Sequence, residues 1–153
     1  MLSDVQKSTL LEIGRNAVRF DEPMSAYSTM HVGGAADALV VPQDTEMLKA
    51  VMGWAVDNEV PYTFLGAGSD TLVRDSGVRG LVIHLREGFN KLEISHESGD
   101  EVFVSADGGA HTGVLLRFAK EKGLSGVEGL AGIPGTVGGH VLPNAGPALG
   151  WIS

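Results

Sequence analysis

The chain has 153 residues, 43% hydrophobic and 20% charged, which is enough apolar content for one ordinary domain or two small lobes and far from a disordered composition. Eleven basic against nineteen acidic side chains leave a formal charge of -8, which argues against nucleic acid or an anionic membrane surface as a partner. The absence of Cys excludes disulfides, iron–sulfur ligation and thiol catalysis, and the His residues at 31, 84, 96, 111 and 140 fall into no metal-ligand spacing, so no protein metal site is expected.

Ser3 to Gly14 carries Val5, Leu10, Leu11 and Ile13 in a short amphipathic pattern, which predicts a helix that serves as an N-terminal accessory. This stretch is no secretory signal, and no later segment approaches the length of a membrane span, so a cytoplasmic location is the default expectation. Ala36 to Val41 reads as a buried strand stopped by Pro42. Thr45 to Asn58 follows with Met47, Leu48, Val51, Met52, Ala55 and Val56 at helical spacing, capped by Asp44 or Thr45; core packing accounts for Met47, Met52 and Trp54. Val60 to Leu65 and Leu81 to Leu85 read as two more strands, which sums to a βαβ unit.

The second half begins differently. Leu92–Ser95 and Val102–Ala106 flank the turn-like Glu97-Ser98-Gly99-Asp100, predicting an antiparallel hairpin. Thr112 to Lys122 places Val114, Leu115, Phe118 and Ala119 on one face, with Lys120 and Lys122 in the last turn and Gly123 at the stop, a well-signalled helix. From Gly123 glycine recurs at 126, 129, 132, 135 and 138, but with Pro134 alone among those triplets, and strand and helix patterns elsewhere, collagen is rejected.

The chain holds 22 glycines, about twice the ~7% average, and two segments concentrate them. Gly66-Ala67-Gly68-Ser69-Asp70 leaves a predicted strand, and small residues there let several N–H groups turn inward around a phosphate, with the Ser69 hydroxyl as an added donor. It matches neither a P-loop nor G-x-G-x-x-G, so a tight turn remains an equal reading of that segment alone. Gly132-Ile133-Pro134-Gly135-Thr136-Val137-Gly138-Gly139 lacks bulk, so a flat ring can lie against its backbone, while Ile133, Pro134 and Val137 stiffen it beyond what a hinge needs.

Four motifs in order carry a resemblance: Ser28-Thr29-Met30-His31-Val32-Gly33-Gly34-Ala35-Ala36-Asp37; Gly66 to Asp75; Gly123-Leu124-Ser125-Gly126-Val127-Glu128; and Gly132 to Gly139 with Asn144-Ala145-Gly146. From about Ser25 to the last residue the sequence resembles the N-terminal, FAD-binding part of the UDP-N-acetylenolpyruvoylglucosamine reductase family (UDP-N-acetylmuramate dehydrogenases). The resemblance implies an α+β, two-lobed FAD-binding fold of the vanillyl-alcohol-oxidase (PCMH) type. Residues 1–24 would form an N-terminal helix and extension, 25–86 the first lobe with its βαβ unit, and 87–153 an incomplete second lobe, the substrate-binding domain being absent.

The resemblance also assigns residues. Gly66, Ala67, Gly68, Ser69 and Asp70, with Leu72 nearby, would contact the pyrophosphate and ribityl region of FAD. Gly132, Ile133, Pro134, Gly135 and Thr136, with Gly138, Gly139 and Asn144 adjacent, would contact the flavin and its phosphates. The family passes hydride from NADPH to FAD and on to the enolpyruvyl double bond of UDP-N-acetylglucosamine enolpyruvate, giving UDP-N-acetylmuramate for peptidoglycan synthesis. The proton-donating Ser and the Arg and Glu that polarise the substrate carboxylate lie, in the family, beyond the position of Ser153. No residue here inherits a catalytic role, and the chain alone is expected not to turn over the substrate. The alternative is a stand-alone flavin- or nucleotide-binding module.

Several positions depart from the family's pattern. Asp70 stands where Asn is usual, and an ionised carboxylate accepts but cannot donate and is repelled by a pyrophosphate, so tight binding asks Asp70 to turn away or pair with Arg74. Ser28 replaces the usual Asn, and His140 and Pro143 replace small or Met-like residues. His31, His84 and His111, beside strands or caps, read as structural histidines. Asp107 and Glu128 flank glycines near the proposed flavin site, where a solvated and a ribose-binding role are indistinguishable in sequence.

Overall fold

The structure, a computed structural model, describes residues 1–86 and 88–143. Helix α1 (Asp4–Gly14) opens on a capping box in which the Ser3 hydroxyl accepts from Gln6 N–H at 3.2 Å and the Gln6 side chain accepts from Ser3 N–H at 2.9 Å. A strand that the sequence pattern does not announce follows: β1 (Val18–Pro23) pairs antiparallel with β2 (Ala35–Val40). Its signal is hidden because Arg19, Asp21 and Glu22 give it a largely polar surface and Pro23 closes it, features of an edge strand. Residues 1–24 thus supply a helix and one edge of a sheet.

Asp44 rather than Thr45 caps α2 (Thr45–Asp57), accepting from Met47 N–H at 2.8 Å. The strands β3 (Tyr62–Leu65) and β4 (Val78–His84) complete a sheet of order β1-β2-β4-β3 in which β2, β4 and β3 run parallel. The βαβ unit is therefore present, but β4 inserts between the two strands that α2 joins. β4 takes the centre because Leu81, Val82 and Ile83 are essentially fully buried, as a parallel strand covered on both faces requires, whereas β3 at the edge exposes Tyr62 and Phe64.

The two faces of this sheet bury separate clusters. Ala38, Val40, Leu81 and Ile83 pack with Leu10 of α1 and with Val51, Trp54 and Ala55 of α2; Leu39, Val41 and Val82 pack on the other side with Met24, Leu65 and Val73. Met47 and Met52 rest at the margin of the first cluster. Ala36 shares the second face although it has the parity of Ala38, because the register of β2 against β4 shifts between them. The residue at that irregularity is Asp37. It is buried, accepts from Gly80 N–H at 3.0 Å and from Arg79 Nη1 at 2.7 Å, and lies 3.5 Å from the Met1 ammonium.

The remaining described residues do not join this sheet. β5 (Leu92–Ser98) and β6 (Glu101–Ala106) form a hairpin of their own, longer than expected, since Glu97 and Ser98 belong to the strand and the turn centres on Gly99 and Asp100. Helix α3 (Thr112–Lys122) has the predicted bounds; Gly123 closes it in the left-handed conformation, its N–H bonding back to the helix while Leu124 N–H reaches Ala119 O at 2.8 Å. The second glycine-rich segment is not all loop: Val137–Val141 forms a short helix, α4, capped by Thr136. Among the described residues no helix is long and apolar enough to cross a membrane, and no three His, Asp or Glu converge as metal ligands.

Candidate functional site: a cleft between two glycine-rich loops

β3 delivers the chain into Gly66–Asp70 at the end of the parallel sheet, where three motifs far apart in sequence become one structure. Gly68 has φ +67, and a Cβ there would run into the Tyr27 carbonyl oxygen, so glycine is required twice over. Beneath it, Thr29 N–H donates to Gly68 O at 3.1 Å, while the buried Ser28 hydroxyl donates to Thr71 O at 3.1 Å and accepts from Met30 N–H at 3.2 Å. Ser28, a departure from the family's Asn, thus finds both its partners in main chain.

The second loop hangs on the turn before α3. Thr112 N–H donates to Gly135 O at 3.1 Å, Val137 N–H to Ala110 O at 2.9 Å, and Gly138 N–H to Gly108 O at 2.8 Å. The two loops also touch directly: Ser69 Oγ donates to Pro134 O at 3.1 Å, and a Cβ on Gly66 would come within 2.5 Å of Thr136 Oγ1.

Between them lies a cleft of about 620 Å³, in the range of small-molecule and cofactor sites. Gly66, Ala67, Gly68, Ser69, Asp70, Ile133, Pro134, Gly135, Thr136 and Gly139 line it, as do Phe64, His140, Leu142 and Pro143. Leu72 is 70% exposed and outside its walls, Gly132 immediately precedes them, and Gly138 lines an adjoining apolar depression of about 200 Å³ with Phe64, Leu85 and Leu142. Asn144 lies outside the described residues.

Among the described residues no Lys or Arg lines the cleft. Its donors come from backbone: among the described residues the N–H groups of Ala67, Gly68, Ser69 and Asp70, and those of Gly135 and Thr136, donate to no acceptor within the chain. Successive unpaired N–H groups in a tight loop make an anion cradle. Asp70 is exposed and, among the described residues, forms no ion pair, so the Asp70–Arg74 pairing is not made.

Across Ala67 opens a second concavity, of about 460 Å³, bordered by Arg19, His31, Arg86 and His111. Arg19 Nη1 donates to the Tyr27 hydroxyl at 2.7 Å, and that hydroxyl donates to Glu22 Oε1 at 2.8 Å. Tyr27 and Glu22 hold the Arg19 guanidinium above its ordinary range, while burial and then the Glu22 bond push the Tyr27 hydroxyl up. His84 is buried there, Nδ1 3.1 Å from Leu65 O and its ring edge-on to Tyr27 at 5.6 Å. Sequence patterns gave these basic residues no common role, because they are gathered only at the carboxyl ends of the parallel strands.

The family described as "FAD binding domain" matches residues 36–150. The chain belongs to that family. This FAD-binding domain is 39% identical over 143 residues to the UDP-N-acetylenolpyruvoylglucosamine reductase of Desulfosudis oleivorans, an alignment covering 94% of the chain and 46% of that protein. It is similar in structure to the enzyme of that name from Thermus caldophilus, with TM-score 0.69 and 35% identity over 88% of the chain and 44% of the other. A VAO-type flavoprotein from Myceliophthora thermophila superposes with TM-score 0.59 at 10% identity over 80% of the chain and 32% of its own, a likeness of fold alone. The resemblance to the reductase family and the α+β fold of vanillyl-alcohol-oxidase type thus stand, and the chain spans about half the length of the curated relatives it matches. The cleft fits the group the family name implies: glycines leave room against the backbone, and unpaired N–H groups offer donors to phosphate oxygens.

Proposed function

We propose that this chain is the cofactor-holding part of an NADPH-dependent reductase that converts UDP-N-acetylglucosamine enolpyruvate to UDP-N-acetylmuramate in peptidoglycan synthesis. The observation that carries the reading is the meeting of Gly66–Asp70 and Ile133–Thr136 on one cleft with unpaired N–H donors on both sides. Ala67 to Asp70, Gly135 and Thr136 would hold the pyrophosphate by main-chain N–H groups, Ile133 and Pro134 would shield it from water, and the glycines would keep the approach open. Arg19 and Arg86, in the concavity across Ala67, offer countercharge to an anion extending past the loop. FAD, when bound, supplies the hydride acceptor and donor. The family's proton-donating Ser and its substrate-polarising Arg and Glu have no match among these residues, so they hold the cofactor without turning over the sugar nucleotide.

Titration of the chain with FAD, followed by quenching of flavin fluorescence, tests this reading. Saturable quenching is expected, and Gly68→Val, which drives a branched side chain into the Tyr27 carbonyl at a positive φ, is expected to lose it. A folded chain that leaves flavin fluorescence unchanged refutes the assignment.

A further inference from the structure

His140 stands where the resemblance leads one to expect a small or Met-like residue, and the structure gives it a specific setting. It is only 4% exposed, yet it lines the cleft between the two glycine-rich loops. Its Nε2 lies 2.8 Å from Thr112 Oγ1, and Thr112 is itself 1% exposed with no other side-chain bond among the described residues. A buried hydroxyl hydrogen without an acceptor is costly, so Thr112 O–H donates to Nε2, which leaves the imidazole proton on Nδ1.

Nδ1 has no partner among the described residues, and no fully buried side-chain nitrogen or oxygen of theirs is left unsatisfied. Nδ1 is therefore reachable by solvent, and the space that His140 reaches is the cleft. Gly135 fixes the ring's place: a Cβ there would sit 2.7 Å from Nε2, so the imidazole tucks under the Gly135 Cα. The ring atoms nearest that point are Nε2, Cε1 and Cδ2, so the imidazole lies next to Gly135, whose N–H, like that of Thr136, is unpaired among the described residues.

We propose that His140 is a ligand-binding residue of this cleft, its Nδ1–H donating to a pyrophosphate oxygen of the bound dinucleotide alongside the Gly135 and Thr136 amides. This rests on the FAD reading above and adds to it a side-chain contact on the cofactor from a residue with no other exposed function. The Thr112 hydroxyl is the positioning group: it sets the tautomer and orients the ring.

The test is the imidazole ¹⁵N spectrum of the whole chain during titration with FAD and, separately, with ADP, which carries a diphosphate without the flavin. A shift of the His140 Nδ1 resonance with both ligands is expected. A shift with FAD alone overturns the pyrophosphate assignment in favour of a flavin oxygen. No shift with FAD, while flavin fluorescence is quenched, overturns the role of His140 and leaves the cofactor reading intact; no quenching removes both.

Two variants isolate the contact. His140→Ala and His140→Asn both lose the bond to Thr112, but Asn places an amide N–H near the position of Nδ1. FAD affinity is expected to fall about tenfold in His140→Ala and to stay within about threefold in His140→Asn, the difference expected of a hydrogen bond to a charged acceptor. Equal losses in the two, with the circular dichroism of both unchanged, mean that His140 only supports the loop.

Discussion

The two regions of this chain are held together by different means. In the sheet β1-β2-β4-β3 with α1 and α2, buried aliphatic side chains pack on both faces and both hydrophobic clusters lie there. From Leu92 onward the described residues bury only Ala110, Ala119 and Leu130 among apolar side chains, and β5 is exposed along nearly its whole length. That region is fixed instead by backbone bonds, such as Thr112 N–H to Gly135 O and Gly138 N–H to Gly108 O. A region with little apolar burial opens at low free-energy cost. The cleft lies on the seam, with one wall from the packed sheet and the other from the region held by hydrogen bonds, so a ligand bound there links the two.

Two substitutions test that contrast directly, and two more probe single carboxylates on either side of it. The largest effect is expected from Ile83→Ala in the central strand, which empties a fully buried site and is expected to cost about 2–5 kcal/mol in urea unfolding. Phe103→Ala on half-exposed β6 is expected to cost less than about 1.5 kcal/mol in the same assay, and equal losses would erase the distinction.

Asp37 comes next. Burial alone would push its carboxyl up, but the Gly80 N–H, the Arg79 guanidinium and the Met1 ammonium outweigh that and hold it below the usual carboxylate range. A carboxyl depressed in the folded state adds stability above its unfolded value, about 3.9, and that stability is lost as pH falls through the lower folded value. Asp37→Asn is therefore expected to lower stability by about 1–3 kcal/mol at neutral pH and to flatten the acid limb below pH ~4, read by urea melts across pH. An unchanged acid limb would remove Asp37 as its source.

The smallest effect belongs to the cleft. Asp70 is exposed in the wall beside the Ala67–Asp70 amides, without an ion-pair partner among the described residues. Asp70→Asn removes one screened repulsion of about 1 kcal/mol and is expected to tighten FAD binding about fivefold at low salt, with the gain shrinking as salt rises. Weaker binding by the variant would mean that the carboxylate is itself a contact.

Signals carried by neighbouring residues were legible in the sequence. The 3.6-residue spacing of Val114, Leu115, Phe118 and Ala119 with Gly123 after it fixes α3 to the residue, and the apolar runs at 36–41 and 81–85 mark the buried strands because a strand covered on both faces has no polar alternation to show. The two glycine-rich segments were recognisable as places where backbone must come close to something. β1 escaped notice because an edge strand needs few apolar residues, and α4 because Gly138 and Gly139 argue against a helix that the Thr136 cap and the turn at Gly108 nevertheless hold.

Sequence by itself determined α1, α2 and α3, the strands β2, β3 and β4, the β5–β6 hairpin and the glycine-rich turns, since those choices follow from spacing, capping and backbone freedom within a dozen residues. Tertiary structure alone decided that β4 enters between β2 and β3, that Thr29 bonds Gly68 and Ser28 bonds Thr71, that Ser69 meets Pro134, and that the His140 imidazole lies against Gly135 in the cleft wall. Each of these joins residues many positions apart. Such contacts form through long-range strand pairing and packing, for which no local pattern in the chain carries a signal.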